Sequence, residues 1–248
     1  MASNALQAVK DRKWFYEFEL PDGTRTETDI PPAVVKIHDS RLGKLREVIE
    51  KYVGDAKGLT AVDFASHEGF FATELSKHFR SVHGLEIRDD SIAAARQITS
   101  VLGRSNITFQ QADLQKMEFD PALRADFVLV YGLLYHVENP IHVMRLASQL
   151  SRKHILVETQ VFPFDISGLI EDGHYEWQRQ VEGVFSVSVD YAARREGGST
   201  DIAMIPSLNT LVFLLKNFGF KTIEVMKFDV HEYEQFRRGS RVVVYGQK

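Results

Sequence analysis

The sequence predicts an α/β fold: a mostly parallel sheet of seven strands, helices on both faces, and an antiparallel last strand. Three stretches carry that reading. Residues 61–64, Ala-Val-Asp-Phe, form a short apolar run that breaks at small and polar residues, after which Phe70, Leu75 and Phe79 recur at roughly helical spacing. This is the pattern of strand, tight turn and helix. Residues 126–131 form a near-continuous apolar run, as expected of a central strand covered on both faces. Between the apolar runs at 220–228 and 240–245 lie about a dozen residues without a helical pattern. A parallel crossover needs its own helix, so this final pair reads as antiparallel.

Composition sets the bounds. With 248 residues, 44% apolar and 26% charged, the chain suits one large soluble domain or a domain with a modest insertion. The net charge of −4 does not advertise a polyanionic partner. There are no cysteines, which excludes disulfides, thiolate nucleophiles and Cys-ligated metals. Nine histidines include His136 and His142, but their spacing makes no recognisable metal motif, and no metal is expected. The start lacks the pattern of a secretory signal, and no apolar stretch approaches the ~20 residues needed to span a membrane. A cytoplasmic protein with no membrane partner is the expectation.

Residues 1–57 read as an N-terminal cap. Trp14, Tyr16, Phe18 and Leu20 alternate before Pro21-Asp22-Gly23, which suggests a hairpin closed by residues 24–28. Trp14 and Tyr16 are candidates to wall an active site. Pro31-Pro32 then breaks the chain, and Val34, Leu42, Leu45, Val48 and Ile49 suggest one or two helices ending near Gly54.

Residues 58–248 carry the main domain. A second strand over 82–86 ends in Glu86, 21 positions (86 − 65) after Ala65. That is close to the ~20-residue offset of a carboxylate that accepts from ribose hydroxyls. Asp89-Asp90-Ser91 offers a cap for the helix that follows. A third strand over 107–110 leads to Asp113-Leu114, and the strand at 126–131 ends at Gly132-Leu133-Leu134-Tyr135-His136. Pro140 opens a helix, and a fifth strand over 155–158 ends in Glu158, followed by Thr159-Gln160. Residues 161–206 are the least regular part and rich in aromatics, among them Tyr175 and Trp177. A segment of this length reads as a substrate-facing insertion or lid, with a dimer interface or mere packing as the alternatives. Residues 185–191 within it alternate as a strand does, and Ser207 is placed to cap a helix.

The loop after the first strand, Asp63-Phe64-Ala65-Ser66-His67-Glu68-Gly69-Phe70-Phe71, resembles the first motif of class I S-adenosylmethionine-dependent methyltransferases, written Asp-x-Gly-x-Gly-x-Gly. Ala65 and His67 stand where the first two glycines are usual. The variant is similar to a branch that holds the bacterial wobble-uridine tRNA methyltransferases and a set of small-molecule methyltransferases. The resemblance spans about residues 58–248 and implies a Rossmann-like sheet with S-adenosyl-L-methionine as cofactor. It implies cofactor contacts from Asp63, Ala65, Ser66, His67, Gly69, Phe70 and Phe71. Glu86, Ile87 and Arg88 would serve the ribose, Asp113 and Leu114 the adenine, and Tyr131, Leu133 and His136 the methyl end. A histidine titrating near neutral pH suits proton removal from an acceptor, so His136 leads the catalytic candidates, with Tyr135 and Glu158 beside it. Tyr16, Trp14, Gln160, Tyr175 and Trp177 are the candidates for acceptor contact.

The expected activity is methyl transfer to a small-molecule acceptor such as a natural-product intermediate. A tRNA methyltransferase is the alternative, for which Arg194-Arg195, Arg237-Arg238 and Arg241 would contact phosphates. A non-catalytic cofactor-binding protein of the same fold is a third reading. A nicotinamide dehydrogenase is disfavoured by the missing glycines. A homodimer is compatible with all of these.

Overall fold

The computed structural model describes residues 2–172, 177–191 and 198–248. A short helix, α1 (Ala2–Lys10), opens the chain, and the two-residue strands β1 (Lys13–Trp14) and β2 (Glu27–Thr28) follow. The hairpin expected over residues 14–28 is reduced to a tight turn. Leu20 N–H donates to Thr24 O, Glu19 and Arg25 form a single antiparallel bridge, and β1 and β2 pair in parallel beyond it. Trp14, Tyr16, Phe18 and Leu20 all turn inward as a cover on the core, which keeps the expected alternation while the regular pairing stays short.

Helix α2 (Pro32–Val48) starts with proline in its first turn, where a missing N–H costs nothing, and runs on through a π-helical turn at Ile49–Val53 to Gly54, whose φ of 73° ends it. The core is then laid down as β3 (Thr60–Phe64), α3 (Phe70–Leu75), β4 (Ser81–Glu86), α4 (Asp89–Val101), β5 (Ile107–Gln111), β6 (Ala125–Tyr131), α5 (Pro140–Leu150) and β7 (Ser151–Gln160). Helix α4 begins at Asp89, the first residue of the Asp89-Asp90-Ser91 stretch expected to cap it, and its N-cap position is Arg88. Its first turn holds Asp89 and Asp90, where carboxylates favour the positive end of the helix. Asn139 caps α5 by accepting from His142 N–H.

The insertion is two hairpins, β8 (Gly168–Asp172) with β9 (Trp177–Val181) and β10 (Phe185–Val189) with β11 (Ile202–Pro206). Ser207 caps α6 (Leu208–Asn217) as the sequence suggests. Strand β12 (Thr222–Val225), the one-turn helix α7 (Glu234–Arg237) and β13 (Arg241–Gln247) complete the chain.

The sheet has the order β12-β13-β7-β6-β3-β4-β5, and β13 runs antiparallel to both neighbours. The chain winds outward from β3 through β4 to β5, then returns to β6 and continues through β7 the other way. The carboxyl ends of β3 and β6 therefore face a topological switch point, where a crevice opens above the sheet. Both faces are apolar: Phe127, Leu129 and Leu156 pack under α3 and α4, and Val128, Val130 and Val157 under α5 and α6. Among the described residues no helix is long and apolar enough to cross a membrane.

Candidate active site

The loop between β3 and α3 keeps an unusual backbone. Ala65, His67 and Gly69 all have positive φ, at 54°, 50° and 79°. The two residues standing in for glycine hold the left-handed conformation that disfavours a Cβ, and such strain, about 1–3 kcal/mol per residue, persists only where surroundings fix it. The fixing contacts are visible. Ser66 N–H donates to Leu85 O, Gly69 N–H donates to Ser66 O, and His67 N–H donates to Glu86 at 2.9 Å. From the N-terminal segment, Phe15 N–H and Arg12 both reach Glu68, at 2.8 and 3.2 Å. Gly69 itself must be glycine, because a Cβ there would press on the Phe109 ring at 2.9 Å.

This loop walls a cavity of about 500 Å³ that runs over the carboxyl ends of the strands. At one end lie Glu86, Ile87, Arg88, Asp113 and Leu114; Ala65 and His67 form the side; Tyr131, Leu133, Tyr135 and His136 reach the other end, with Tyr16 above. The Glu86 carboxylate accepts from His67, Ile87 and Arg88 N–H groups and is 3% exposed, so its position is set by backbone rather than by rotamer chance.

Other candidates stand back from the wall. Phe70 stacks on Tyr16 at 4.7 Å and Phe71 meets Tyr131 edge-on at 5.1 Å, so both brace the loop from behind. Asp63 is buried beneath it. Burial, with Glu86 nearby and against the pull of the Ala72 N–H, pushes its pKa up to about 8. Asp63 Oδ2 and Ser66 Oγ are buried without a hydrogen-bond partner among the described residues. A loop of left-handed turns with unpartnered oxygens beneath it, followed by a fixed strand-end carboxylate, fits the polar ends of a nucleoside bearing an amino-acid tail.

Three candidates need correction. Trp14 is fully buried, donates through Nε1 to Val9 O, and packs in the core away from the cavity. Gln160 pairs in register with Arg241 at the end of β7 and does not line the cavity. Glu158 is unsuited to proton transfer, because it is wholly buried and both its oxygens are engaged. Oε1 meets Arg241 Nη1 at 2.7 Å, and Oε2 meets Arg41 Nε at 2.9 Å and Nη2 at 2.7 Å while accepting from Gly132 N–H at 2.9 Å. Burial alone would raise its pKa, but the Arg241 and Arg41 guanidiniums overturn that and hold it below the usual carboxylate range. Arg241 is accordingly a buried cation and not a surface phosphate contact, while Arg237 and Arg238 are exposed. Tyr175 and Arg194-Arg195 lie outside the described residues, as does the side chain of Trp177, whose backbone opens β9.

Several cavity residues escaped the sequence reading. His38 of α2 is 4% exposed between Tyr16 and Phe15 and leaves Nε2 unpartnered. Burial, helped by Arg41 and His67, takes its pKa down to about 3, so it is a neutral ring. Asp190, at the end of β10, lies 2.7 Å from His136 Nδ1 and also accepts from Gly198 N–H. Gly198 has no room for a side chain, since a Cβ would overlap the His136 carbonyl. Gln115 joins this corner by donating to Ser199 Oγ at 2.9 Å, and Met204 N–H donates to Val137 O. The insertion is thereby docked on the turn that carries His136. Arg41 had a sequence signal: Ile37, Arg41, Leu45 and Val48 share one helical face, so a cation sits on the buried stripe of α2.

With that geometry in place, the fold and site define an S-adenosylmethionine-dependent methyltransferase. Residues 55–196 match the family model described as methyltransferase domain, and the chain belongs to that family. No curated protein matches the chain. Among solved structures, the N-terminal domain of EvdMO1 with S-adenosylhomocysteine bound has a TM-score of 0.72 at 22% identity, covering 99% of this chain and 94% of that one. Of the longer chain in a crystal structure of EvdMO1 the match covers 47%. An S-adenosylmethionine-dependent methyltransferase from Mesorhizobium loti gives 0.61 at 20% identity, over 84% of this chain and 98% of that one. Magnesium protoporphyrin IX methyltransferase from Synechocystis PCC 6803 with bound S-adenosylhomocysteine gives 0.58 at 14%, over 90% of each chain.

The ion cluster yields a stability prediction. Glu158→Ala leaves two buried guanidiniums facing each other and should lower unfolding stability by about 3–5 kcal/mol. Urea unfolding followed by circular dichroism measures it; a loss under about 1 kcal/mol would mean the arginines find other acceptors.

Proposed function

We propose that this enzyme methylates a small molecule enclosed in the cavity, and that His136 removes the acceptor's proton. The observation that carries the reading is the cavity itself. It is continuous from Glu86 to His136, walled by protein on the strand side and crossed by Tyr16 from the N-terminal segment and by Gly198 and Ser199 from the insertion. A concave volume of about 500 Å³ suits a nucleoside together with a compact acceptor. Bound there, S-adenosylmethionine supplies an electrophilic methyl group on a sulfonium.

The chain's own residues do the rest. Glu86 accepts from ribose hydroxyls, and Asp113 and Leu114 flank the base. Tyr16, Ile37 and His38 bound the acceptor side. Asp190 holds His136 through Nδ1, which fixes the tautomer and leaves Nε2 as the nitrogen that takes a proton. Burial pushes the imidazole below its ordinary pKa, Asp190 pulls it back, and Arg241 and Arg41 push it further down. The ring is therefore neutral at physiological pH and competent as a base. Support for a small acceptor also comes from relatives. The EvdMO1 N-terminal domain was crystallised in the presence of S-adenosylhomocysteine and D-fucose, and a second relative acts on magnesium protoporphyrin IX. The tRNA alternative loses Arg241 as a phosphate contact, since that side chain is buried on Glu158.

Incubation with methyl-labelled S-adenosylmethionine, a small-molecule extract and total tRNA separates the readings. Label in the small-molecule fraction is expected; label confined to tRNA overturns the proposal.

With the labelled acceptor in hand, activity should fall on the acid side, at a pH below the ordinary histidine range, as His136 gains a proton. His136→Ala should reduce kcat about 10²–10⁴-fold. Asp190→Asn removes the carboxylate that favours the protonated ring, so its acid limb should move to lower pH while kcat falls. An unchanged limb in Asp190→Asn would assign the titration to another group.

A further inference from the structure

The far end of the cavity is built from two cations. Arg41 and Arg241 are each 4% exposed, yet both line the cavity. One carboxylate, Glu158, lies within hydrogen-bond reach of the pair among the described residues. Arg41 spends Nε and Nη2 on Glu158, and Nη2 also meets the Tyr135 hydroxyl at 3.3 Å. Arg241 spends Nη1 on Glu158 and Nε on Gln235. Arg41 Nη1 and Arg241 Nη2 take no part in these contacts. The next carboxylate, Asp190, turns one oxygen to His136 and the other to Gly198. Tyr135 stands between the cations. Its hydroxyl faces Arg41 and its ring lies 4.7 Å from the Arg241 guanidinium carbon. Two guanidiniums therefore share one carboxylate, with donors left over, at the floor of a largely apolar cavity.

A buried cation without its own anion is costly, and proteins retain one where a ligand completes it. Guanidinium donors in a fixed plane match a carboxylate, and the surplus here is a single charge. We infer that the acceptor carries a carboxylate, held by Arg41 and Arg241 with the Tyr135 hydroxyl. This rests on the small-molecule reading of the cavity and names the acceptor's class. The carboxylate is the anchor that presents a second, proton-bearing atom of the acceptor to His136. In the reaction a bond forms from that atom to the methyl carbon, the methyl–sulfur bond breaks with its electron pair going to sulfur, and the acceptor proton passes to His136.

The test uses the full chain saturated with S-adenosylhomocysteine and three probes of one shape: benzoate, benzamide and phenyl phosphate. Affinities are read by calorimetry or ligand-observed NMR. Charge-assisted hydrogen bonds predict that benzoate binds at least about tenfold tighter than benzamide. Arg241→Gln should erase that preference while S-adenosylhomocysteine affinity stays within about twofold. If Arg241→Gln does not fold, Tyr135→Phe reads the same contact and should weaken benzoate several-fold and benzamide little. Equal affinities for benzoate and benzamide, no binding of either, or a preference that survives Arg241→Gln would overturn the inference. Tighter binding of phenyl phosphate would replace the carboxylate with a phosphate ester. The small-molecule reading fails separately, by methyl label going only to tRNA.

Discussion

Arg41, Glu158 and Arg241 form the contact on which the site's geometry depends. The three come from parts of the chain far apart in sequence: α2 of the N-terminal segment, the end of β7 and the start of β13. Gly132 adds its N–H from the turn after β6, and a Cβ there would press on Arg41 Nη2 at 3.0 Å. Buried ion clusters are seldom the most stabilising choice, since desolvation consumes most of the Coulomb gain. Their value is in geometry. Removing Glu158 leaves two unpaired cations in the interior, so the helix, the two strands and the turn are held in one arrangement by the carboxylate they share. Tyr135 and His136 follow directly from that turn and inherit its position.

A second constraint acts on the opposite wall. The loop after β3 holds two non-glycine residues in left-handed backbone, and neighbours keep them there through Leu85, Glu86 and the N-terminal segment. Gly84 makes room for this packing, since a Cβ there would collide with Phe109 and Ser66. Strain stored beside a ligand site is strain that need not be created when the ligand arrives. The N-terminal segment serves both walls, because Phe15 and Arg12 hold the loop through Glu68 while α2 supplies Arg41. This segment therefore completes the site and does more than cover the core.

Much of this was legible in the chain. Seven sheet strands, the antiparallel last strand and the chain of strand-end acids follow from local rules: apolar runs, turn residues and spacing. Glu86, Asp113, Leu114, Tyr135 and His136 all arrive at one cavity because strands in a parallel sheet deliver their carboxyl ends to one edge. What local rules miss is pairing at a distance. Glu158 at a strand end looks like a site residue, and only the fold reveals the two arginines that occupy it. Trp14 looks like a wall and is core, because alternation puts Trp14 and Tyr16 on one face without saying which of them meets the cavity. Asp190 gives no signal at all, since its role exists only once the insertion docks against His136. Arg41 was readable as a cation on an apolar helical stripe, though its partner was not.

The central claim is that one cavity serves cofactor and acceptor, with His136 at their meeting point. A crystal structure with S-adenosylhomocysteine tests it most directly. The ribose should lie on Glu86 and the sulfur beside the Leu133–His136 turn, with space between sulfur and His136 Nε2 for an acceptor atom in near-attack range of about 3–3.5 Å. A sulfur pointing away from His136, or a ribose held elsewhere than on Glu86, would contradict the account.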